Sequence, residues 1–511
     1  MIQRLGVTNL EGQNNQANTR LLSSAVEPLE PSRPKIPLGI AMSILGGLAA
    51  GLLAALGMLI AASALLIVGR NDSNPLALYV FLLLLAPPIQ AGIAGFGGIN
   101  RFIDVDYLRL LSVLVLFPTA ARLALKPESV RLFRIPSDKY LVGYLTLLLC
   151  LQAPVTSYTD LLRSFVALFI DVFLPYYVFS RGLSDFSRMR EVFASFTAAC
   201  ALIAVIALFE FFKGWLLYSS LPTFLDAHWS YGHYMSREGA LRVVVSTGHP
   251  IVLGYVMTVA LGLHLALRHA YPNRTSWRLV AFALVAALVV SLSRGPWVGA
   301  FAMLGVAIAL APRSVARIGK NGVPVVILVS LLAITPFGAK VVALLPFIGT
   351  ADSETVAYRQ QLFNVAWDVV MMNPFLGSPY YMATDAMEQM RQGEGIIDVV
   401  NSYIGVALGS GLVGLALFGA VFVSTARHLF VYLFRHGDEE SVEHVTGRAL
   451  LATLVGVLTI IATASSINAI PVIYWCLAGA CAAYVRALQV GTYGEASPSL
   501  PRKTGFHASP L

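Results

Sequence analysis

Apolar runs, many of them near 20 residues long, alternate with short polar segments along most of the 511-residue chain. About 20 apolar residues span the roughly 30 Å hydrocarbon core of a bilayer as a helix. The pattern predicts an all-α protein, a polytopic transmembrane bundle of about 12–14 helices. The predicted helices cover residues 37–53, 55–69, 76–92, 107–121, 139–154, 161–180, 189–212, 249–267, 277–292, 295–312, 322–338, 400–426, 447–464 and 467–487.

The placement of basic residues predicts the orientation, because Lys and Arg accumulate in cytoplasmic loops. The apolar run over residues 36–69 is too long for one crossing, and we interpret it as a hairpin of two helices. With that hairpin, the basic N-terminal tail lies on the same side as the basic loops near residues 122–139 and 181–190. We therefore expect a protein of the bacterial inner membrane with both termini in the cytoplasm.

The same pattern divides the chain into a transmembrane domain over residues 36–487 and two polar, disordered tails over 1–35 and 488–511. Two segments on the non-cytoplasmic side are long, about 213–248 and 339–399. Apolar spacing in the second predicts a short helix near residues 357–372, lying across the mouth of the bundle. The alternative is an interfacial helix without chemistry.

The composition agrees with membrane insertion. Hydrophobic residues make up 57% of the chain and charged residues 12%, against roughly 25% charged residues in soluble domains. The net charge of +8 follows mostly from the basic loops. We therefore expect attraction to anionic membrane lipids and no binding of nucleic acid. The four cysteines lie in predicted spans without metal-ligand spacing, and we expect no metal and no cofactor. The polar start of the chain predicts no cleavable signal peptide.

Three predicted helices enter the membrane from the non-cytoplasmic side after polar residues. Their starts follow Gly248-His249-Pro250, Ser293-Arg294-Gly295-Pro296 and Asn401-Ser402. Helix N-termini carry partial positive charge and bind anions, phosphates in particular. If these starts converge, they form an anion site at the outer membrane surface. The alternative is that Ser293 and Asn401 only cap their helices.

Arginines strengthen the case for an anion. Arg294 at a helix start faces the helix dipole with the wrong sign unless an anion is present, and Arg suits bidentate phosphate contacts. Arg242 and Arg359 are the next candidate cations. Each has the alternative of pairing with a loop carboxylate or reaching lipid headgroups.

Two carboxylates are predicted within or near membrane spans, where ionisable groups cost about 2.5–3.5 kcal/mol or more at mid-membrane. Asp171 is either a proton or ion site or the partner of Arg163 or Arg109. Glu210 lies near the outer end of its span, where its carboxylate reaches water.

Four segments of the chain resemble the O-antigen ligase and polymerase superfamily of polytopic bacterial enzymes. In order they are RVVVSTGHPIVLGY from Arg242, SRGPWVGA from Ser293, YRQQLFNVAWDVVMMNPFLGSP from Tyr358 and VNSYIGVALGSGLVGL from Val400. They span residues 240–420. The resemblance implies inverting, metal-independent glycosyl transfer at the periplasmic face, from an undecaprenyl-pyrophosphate-linked glycan to a glycan or lipid acceptor. Polysaccharide assembly machinery is an implied partner.

Residue by residue, the resemblance assigns Arg294 and Arg242 to the donor pyrophosphate. Asn401 matches the family element that follows a histidine, which serves there as candidate base, but this chain has Val400 in the position of that histidine. Valine accepts no proton, so the base stays open. The resemblance also assigns four residues as backbone markers, namely Pro250, Gly254, Pro374 and Gly377.

Asp398, Glu394 and His249 are the nearest titratable candidates for the base. The predicted site therefore has Arg294, Arg242 and Asp398 as catalytic residues. Its predicted substrate-binding residues are Ser293, His249, Asn401 and Arg359.

Three functions follow from these patterns. The first is polymerisation or ligation of lipid-linked glycan for a cell-surface polysaccharide, either O-antigen or exopolysaccharide. The second is transport or export of lipid-linked glycan or a small anion, motivated by Asp171 and the many helices. The third is a catalytically altered family member that acts as a scaffold, motivated by Val400.

Overall fold

The computed structural model describes residues 74–87, 90–94, 101–127, 129–220, 234–237, 239–271, 273–311, 353–391, 397–435 and 441–495. All of them belong to one unit of the chain, Gly57–Leu511. The predicted helices over 37–53, 55–69 and 322–338, the N-terminal tail and Glu394 lie outside the described residues.

Helices dominate the described chain. In chain order they are α1 (Pro75–Leu82), α2 (Tyr107–Leu125), α3 (Pro136–Gln152), α4 (Tyr158–Gly182), α5 (Phe186–Lys213), α6 (Pro250–Ala266), α7 (Arg274–Val290), α8 (Arg294–Ala309), α9 (Ser353–Met372), α10 (Asp385–Glu388), α11 (Ser402–Arg435), α12 (Val442–Ile461) and α13 (Ala469–Glu495). Two antiparallel strand pairs accompany them, β1 (Gln90–Ala94) with β2 (Arg101–Asp106) and β3 (Ser236–Arg237) with β4 (Ala240–Leu241).

Within the described ranges, six helices are long and apolar enough to cross a membrane, namely α2, α4, α5, α11, α12 and α13; α6 and α8 are shorter apolar helices. The chain is a multi-pass membrane protein, and the predicted all-α polytopic fold is confirmed. The helix predicted near 357–372 is also present, as α9.

One predicted span is wrong. The helix predicted over residues 76–92 ends at Leu82, and the chain enters β1 at Gln90. Pro87 and Pro88 explain the difference, because proline lacks a backbone donor and disfavours helical conformation in the residue before it.

Glycines allow the central helices to approach closely. A Cβ on Gly299 of α8 would lie 2.7 Å from the Gly456 carbonyl oxygen of α12, and a Cβ on Gly456 would lie 2.9 Å from the Gly299 carbonyl oxygen. Gly262 of α6 packs as tightly, since its Cβ would lie 2.0 Å from the Thr453 hydroxyl oxygen. Small residues of this kind let membrane helices pack backbone to backbone.

A buried ion pair joins helices at one end of the bundle. Arg181 at the end of α4 pairs with Asp138 at the start of α3, and both side chains have no solvent exposure. The Tyr176 hydroxyl also donates to Asp138, at 2.9 Å, and Arg486 of α13 donates to the Arg181 carbonyl oxygen at 3.3 Å. This pair therefore holds α3, α4 and α13 together at the end where their basic segments meet.

The long helix α11 is broken at Gly411, whose φ of 65° and ψ of −171° are essentially restricted to glycine. A loop from the segment after α9 fills the break. The Leu412 N–H donates to the Pro374 carbonyl at 2.8 Å, and the Ser378 N–H donates to the Leu408 carbonyl at 2.8 Å. The backbone groups that the break releases are thus satisfied by the loop.

The first half of α11 belongs to a second, smaller hydrophobic core. It packs with α9 and α10, and the buried residues of this core are Leu362, Ala366, Val369, Val370, Met387, Met390, Val399, Ala407 and Leu408. The half of α11 before Gly411 therefore packs with the segment around α9.

The four cysteines differ in their burial. Cys200, Cys476 and Cys481 are buried, whereas Cys150 is exposed on α3. Its exposure places Cys150 on the outer surface of the helix and not in the core.

The close contact at the helix break predicts that Gly411→Ala destabilises the protein. A Cβ at Gly411 would lie 2.2 Å from the Phe375 carbonyl oxygen, and a strained backbone conformation of this kind costs about 1–3 kcal/mol even without the contact. The thermal unfolding midpoint of the purified protein in detergent should fall clearly. Gly405→Ala is the matched control, because its Cβ meets nothing within 4 Å; equal midpoints for the two variants would contradict the role of the break.

Candidate active site

The three predicted helix starts lie together at one end of the bundle. Gly254 of α6 packs directly on α8, since its Cβ would lie 2.8 Å from the Pro296 Cβ. Arg242, ahead of α6, donates through Nη2 to the Ser293 hydroxyl at 3.1 Å. The starts of α6 and α8 are therefore in direct contact, as the anion-site hypothesis requires.

The connection between α12 and α13, residues 462–468, joins the third helix start to the other two. The Ser402 hydroxyl, at the start of α11, donates to the Ala464 carbonyl oxygen at 2.9 Å. A Cβ on Gly295, in the first turn of α8, would lie 2.6 Å from the Thr463 hydroxyl oxygen. The Asn468 side chain donates to the Thr247 carbonyl oxygen at 3.2 Å, just ahead of α6.

This connection was not predicted, because the predicted helices at 447–464 and 467–487 leave almost nothing between them. The signal was present in the sequence Ala-Thr-Ala-Ser-Ser-Ile-Asn over residues 462–468. Hydroxyl and amide side chains in an otherwise apolar run indicate a polar break.

Three residues at or next to these contacts have positive φ. Val245, Leu292 and Asn468 have φ values of 52°, 48° and 47°. Positive φ is a genuine outlier for β-branched or bulky residues such as valine and leucine, and strained backbone of this kind costs roughly 1–3 kcal/mol and clusters at functional sites. The strain marks this end of the bundle as a candidate functional site.

Glu210, at the end of α5, supports the strained segment ahead of α6. Its carboxylate accepts backbone hydrogen bonds from Val245 at 3.0 Å, from Val244 at 3.3 Å and from Leu217 at 2.9 Å. Glu210 is buried with no solvent exposure, so the expectation that its carboxylate reaches water is wrong. Its role is to satisfy buried backbone donors.

A cleft of about 190 Å³ opens beside these helix starts. It lies between α9, the start of α11 and the α12–α13 connection. Its lining residues are Arg359, Leu362, Phe363, Ala366, Val399, Val400, Asn401, Ile404, Ala462 and Thr463. Because Thr463 also contacts Gly295, the start of α8 adjoins the cleft.

One of the cations predicted from the sequence, Arg359, lines this cleft, and Arg294 lies near it. Burial lowers the pKa of Arg359, the charge of Arg294 lowers it further, and the charge of Asp398 opposes both. Arg294 and Arg359 therefore lie close enough to repel each other, and an anion between them would relieve that repulsion.

Asp398 is held by the α12–α13 connection. The Ser465 hydroxyl donates to the Asp398 carboxylate and also lies 2.7 Å from the Val399 carbonyl oxygen. A carboxylate with one oxygen in a fixed hydrogen bond has a defined orientation. Asp398 thus lies near Arg359, at the edge of the cleft that Val400 and Asn401 line.

The remaining predicted site residues have structural contacts of their own. The Asn401 side-chain oxygen accepts from the Tyr403 and Ile404 N–H groups, at 2.9 and 3.3 Å, and so caps α11. Ser293 does not cap α8 through its side chain; its hydroxyl donates to the Ser291 carbonyl at 3.1 Å. The capping prediction is therefore right for Asn401 and wrong for Ser293.

His249 precedes α6 and accepts a hydrogen bond from the Ile251 N–H through Nδ1 at 3.2 Å. Burial lowers the pKa of His249 to about 4, and the charge of Arg242 adds to the effect. At neutral pH the ring is therefore neutral, with Nδ1 occupied by the helix cap and the ring proton on Nε2. This arrangement makes His249 a hydrogen-bond donor and a poor candidate for the base.

The described chain is thus a membrane protein with a cleft that one arginine, Arg359, lines beside converging helix starts. The family model for O-antigen ligase matches residues 279–419, which include Arg294, Arg359, Asp398 and Asn401. The match supports a relationship of this segment to the O-antigen ligase superfamily, whose members are membrane enzymes of the ligase or polymerase type. A search of curated proteins finds no match to the chain.

The match is narrower than the resemblance over residues 240–420. It covers just over a quarter of the 511 residues and leaves out Arg242, His249 and the whole α12–α13 connection. These parts of the site are joined to the matched segment by the contacts to Ser293, Gly295 and Ser402 described above.

The lowered pKa of His249 predicts a pH-dependent contribution to stability. In the unfolded chain the imidazole titrates near pH 6.5, so the folded state favours the neutral ring. This contribution is complete above pH 6.5 and is lost as the pH falls through 6.5 toward 4. Thermal unfolding midpoints measured across this range should fall more steeply for the wild type than for His249→Asn, which retains a capping side chain. Parallel pH profiles for the two proteins would contradict the prediction.

Proposed function

We propose that this protein is a glycosyltransferase that polymerises or ligates undecaprenyl-pyrophosphate-linked glycan at the periplasmic face of the bacterial inner membrane. The observation that carries the proposal is the position of Arg294, Arg359 and Asp398 around one cleft, within the segment that matches O-antigen ligase. The product is a cell-surface polysaccharide. The acceptor is a glycan or a lipid.

The cations account for departure of the leaving group. In the proposed reaction the acceptor hydroxyl oxygen forms a bond to the anomeric carbon, and the bond from that carbon to the diphosphate oxygen breaks. The diphosphate leaves on its lipid with the electron pair, so negative charge grows on its oxygens. Arg294 and Arg242 stabilise that charge, since preorganised cations in a dry site act most strongly where charge develops. Attack opposite the leaving group inverts the anomeric configuration.

Asp398 is the proposed base. It lies near the position where the resemblance expects a histidine and this chain has Val400. The Ser465 hydroxyl orients the carboxylate, and the positive charge of Arg359 lies nearby. Asp398 would accept the proton of the acceptor hydroxyl as the new glycosidic bond forms. A carboxylate thus replaces the missing imidazole.

Transport has less support from the contacts. Asp171, which motivated it, forms an ion pair with Arg109 of α2, in which Nη2 of Arg109 lies 2.8 Å from Oδ2 and Nε lies 3.2 Å from Oδ1. Arg163, the other sequence-based partner, pairs with Asp160 instead. A bidentate pair between two membrane helices satisfies both charges, so Asp171 does not require an ion-transport role.

Replacement of the site arginines should abolish polysaccharide synthesis. Arg294→Ala and Arg242→Ala each remove a charge from the leaving group, and loss of one such donor costs about 10²–10³-fold in rate. The measurement is incorporation of undecaprenyl-pyrophosphate oligosaccharide into longer or transferred product by purified protein. Arg294→Lys should retain part of the activity, because it keeps the charge but loses the bidentate geometry.

The matched control is Arg391→Ala, an exposed arginine paired with Glu388 on the same segment. It should transfer glycan like the wild type. If Arg294→Ala and Arg242→Ala fold, insert and also match the wild type, the proposed mechanism is wrong. Product that grows on itself identifies a polymerase, and product moved to a different lipid identifies a ligase.

Asp398→Asn should lower the rate by about 10²–10⁴-fold, the usual contribution of a general base. Ser465→Ala should lower the rate less than Asp398→Asn does, because the serine acts through the carboxylate. Ser465→Thr retains the hydroxyl and should restore the wild-type rate. An Asp398→Asn variant with full activity would assign the base elsewhere.

A further inference from the structure

Helix α9 has an exposed apolar stripe beside the cleft. Phe363, Trp367 and Met371 recur every four residues and are 49%, 47% and 44% exposed. Residues four apart lie on one face of a helix. This face differs from the buried face of α9, which carries the residues of the small core.

The third face of the same helix is polar and exposed, with Gln361, Asn364 and Asp368. Helix α9 therefore presents three faces in order around its axis, namely a buried one, an exposed apolar one and an exposed polar one. Large apolar residues in a contiguous exposed row mark an interaction surface. Between a polar face and a protein core, that row has the arrangement of a helix at a membrane interface.

The stripe continues into a loop that contacts the membrane-spanning part of α11. Met372, Phe375 and Leu376 are 65%, 71% and 49% exposed. The Phe375 carbonyl accepts from the Val413 N–H at 3.2 Å, and Val413 is itself exposed in the candidate span Ser402–Phe434. The apolar stripe is thus continuous with the surface that α11 presents to lipid.

We propose that the stripe of Phe363, Trp367 and Met371, with the loop from Met372 to Leu376, is immersed in the lipid at the bilayer surface. Its partner is the bilayer itself. Tryptophan favours this depth, and every residue of the surface except Asn373 and Pro374 in the loop is apolar and large.

Immersion has a consequence for the cleft. Phe363 belongs both to the stripe and to the cleft lining, so the cleft opens sideways at the level of the lipid headgroups. Arg359, four residues before Phe363, then lies at the depth of lipid phosphates. With the proposed function, on which this step rests, a lipid-linked diphosphate reaches the site by moving within the membrane plane.

The test measures immersion separately from catalysis. Single cysteines replace Phe363, Trp367 and Met371 on the stripe, and Asn364 and Asp368 on the polar face as matched controls. The background carries Cys150→Ala, because Cys150 is exposed while the other three cysteines are buried. Each cysteine carries a nitroxide spin label in protein reconstituted into lipid nanodiscs, and collision rates with oxygen and with a water-soluble nickel chelate are measured.

The stripe labels should collide preferentially with oxygen, which concentrates in lipid, and the control labels preferentially with the nickel chelate. Nickel accessibility that is equal on both faces would overturn the proposal, because the stripe would then face water. Stripe labels protected from both reagents would also overturn it, since protein would cover the surface.

Trp367 provides a second measurement without cysteine variants. In bilayers that contain brominated lipid, the wild type should lose more tryptophan fluorescence than Trp367→Phe. Equal quenching of the two proteins would overturn the proposal. If the stripe is immersed but the protein transfers no glycan, the proposed membrane contact stands and the proposed function is rejected. The failure of one proposal is therefore distinguishable from the failure of the other.

Discussion

Helix ends inside an apolar bundle expose backbone N–H and C=O groups that water does not reach, and each of these groups needs a partner from the protein. The candidate site depends on how this requirement is met. Glu210 accepts from three backbone donors ahead of α6, and the break in α11 is satisfied by backbone groups of a neighbouring loop. The polar contacts that satisfy the helix ends also bring those ends together.

The α12–α13 connection is where several of these contacts meet. Its backbone accepts a hydrogen bond from the Ser402 hydroxyl, and it packs on Gly295. Its Asn468 side chain donates to the Thr247 carbonyl oxygen. Through Ser465 it also orients Asp398. A segment with no charged residue therefore contacts all three helix starts and orients one charged group of the site, Asp398.

The site combines chain segments with different relationships to the family. Arg294, Arg359 and Asp398 belong to the segment that matches O-antigen ligase, whereas Arg242 and Ser465 lie outside it. The matched segment supplies cations and a carboxylate, and the flanking segments hold them in position. Replacement of the family histidine by Val400 is compatible with this division, because the carboxylate is placed by a residue from another helix connection.

The apolar periodicity of the chain determined that this is a helical membrane protein, because about 20 apolar residues in a row have few other stable arrangements. Local chemistry also identified Arg294, Arg242 and the three helix starts, since polar residues at such starts stand out in an apolar sequence. The convergence of those starts was decided by tertiary contacts between residues as far apart as Thr247 and Asn468. Pro87 and Pro88 ended a span that hydropathy alone continued, and the glycine contacts that break α11 depend on a loop more than thirty residues away. Periodicity measures only the burial of neighbouring residues, whereas a site depends on which distant backbone groups satisfy one another.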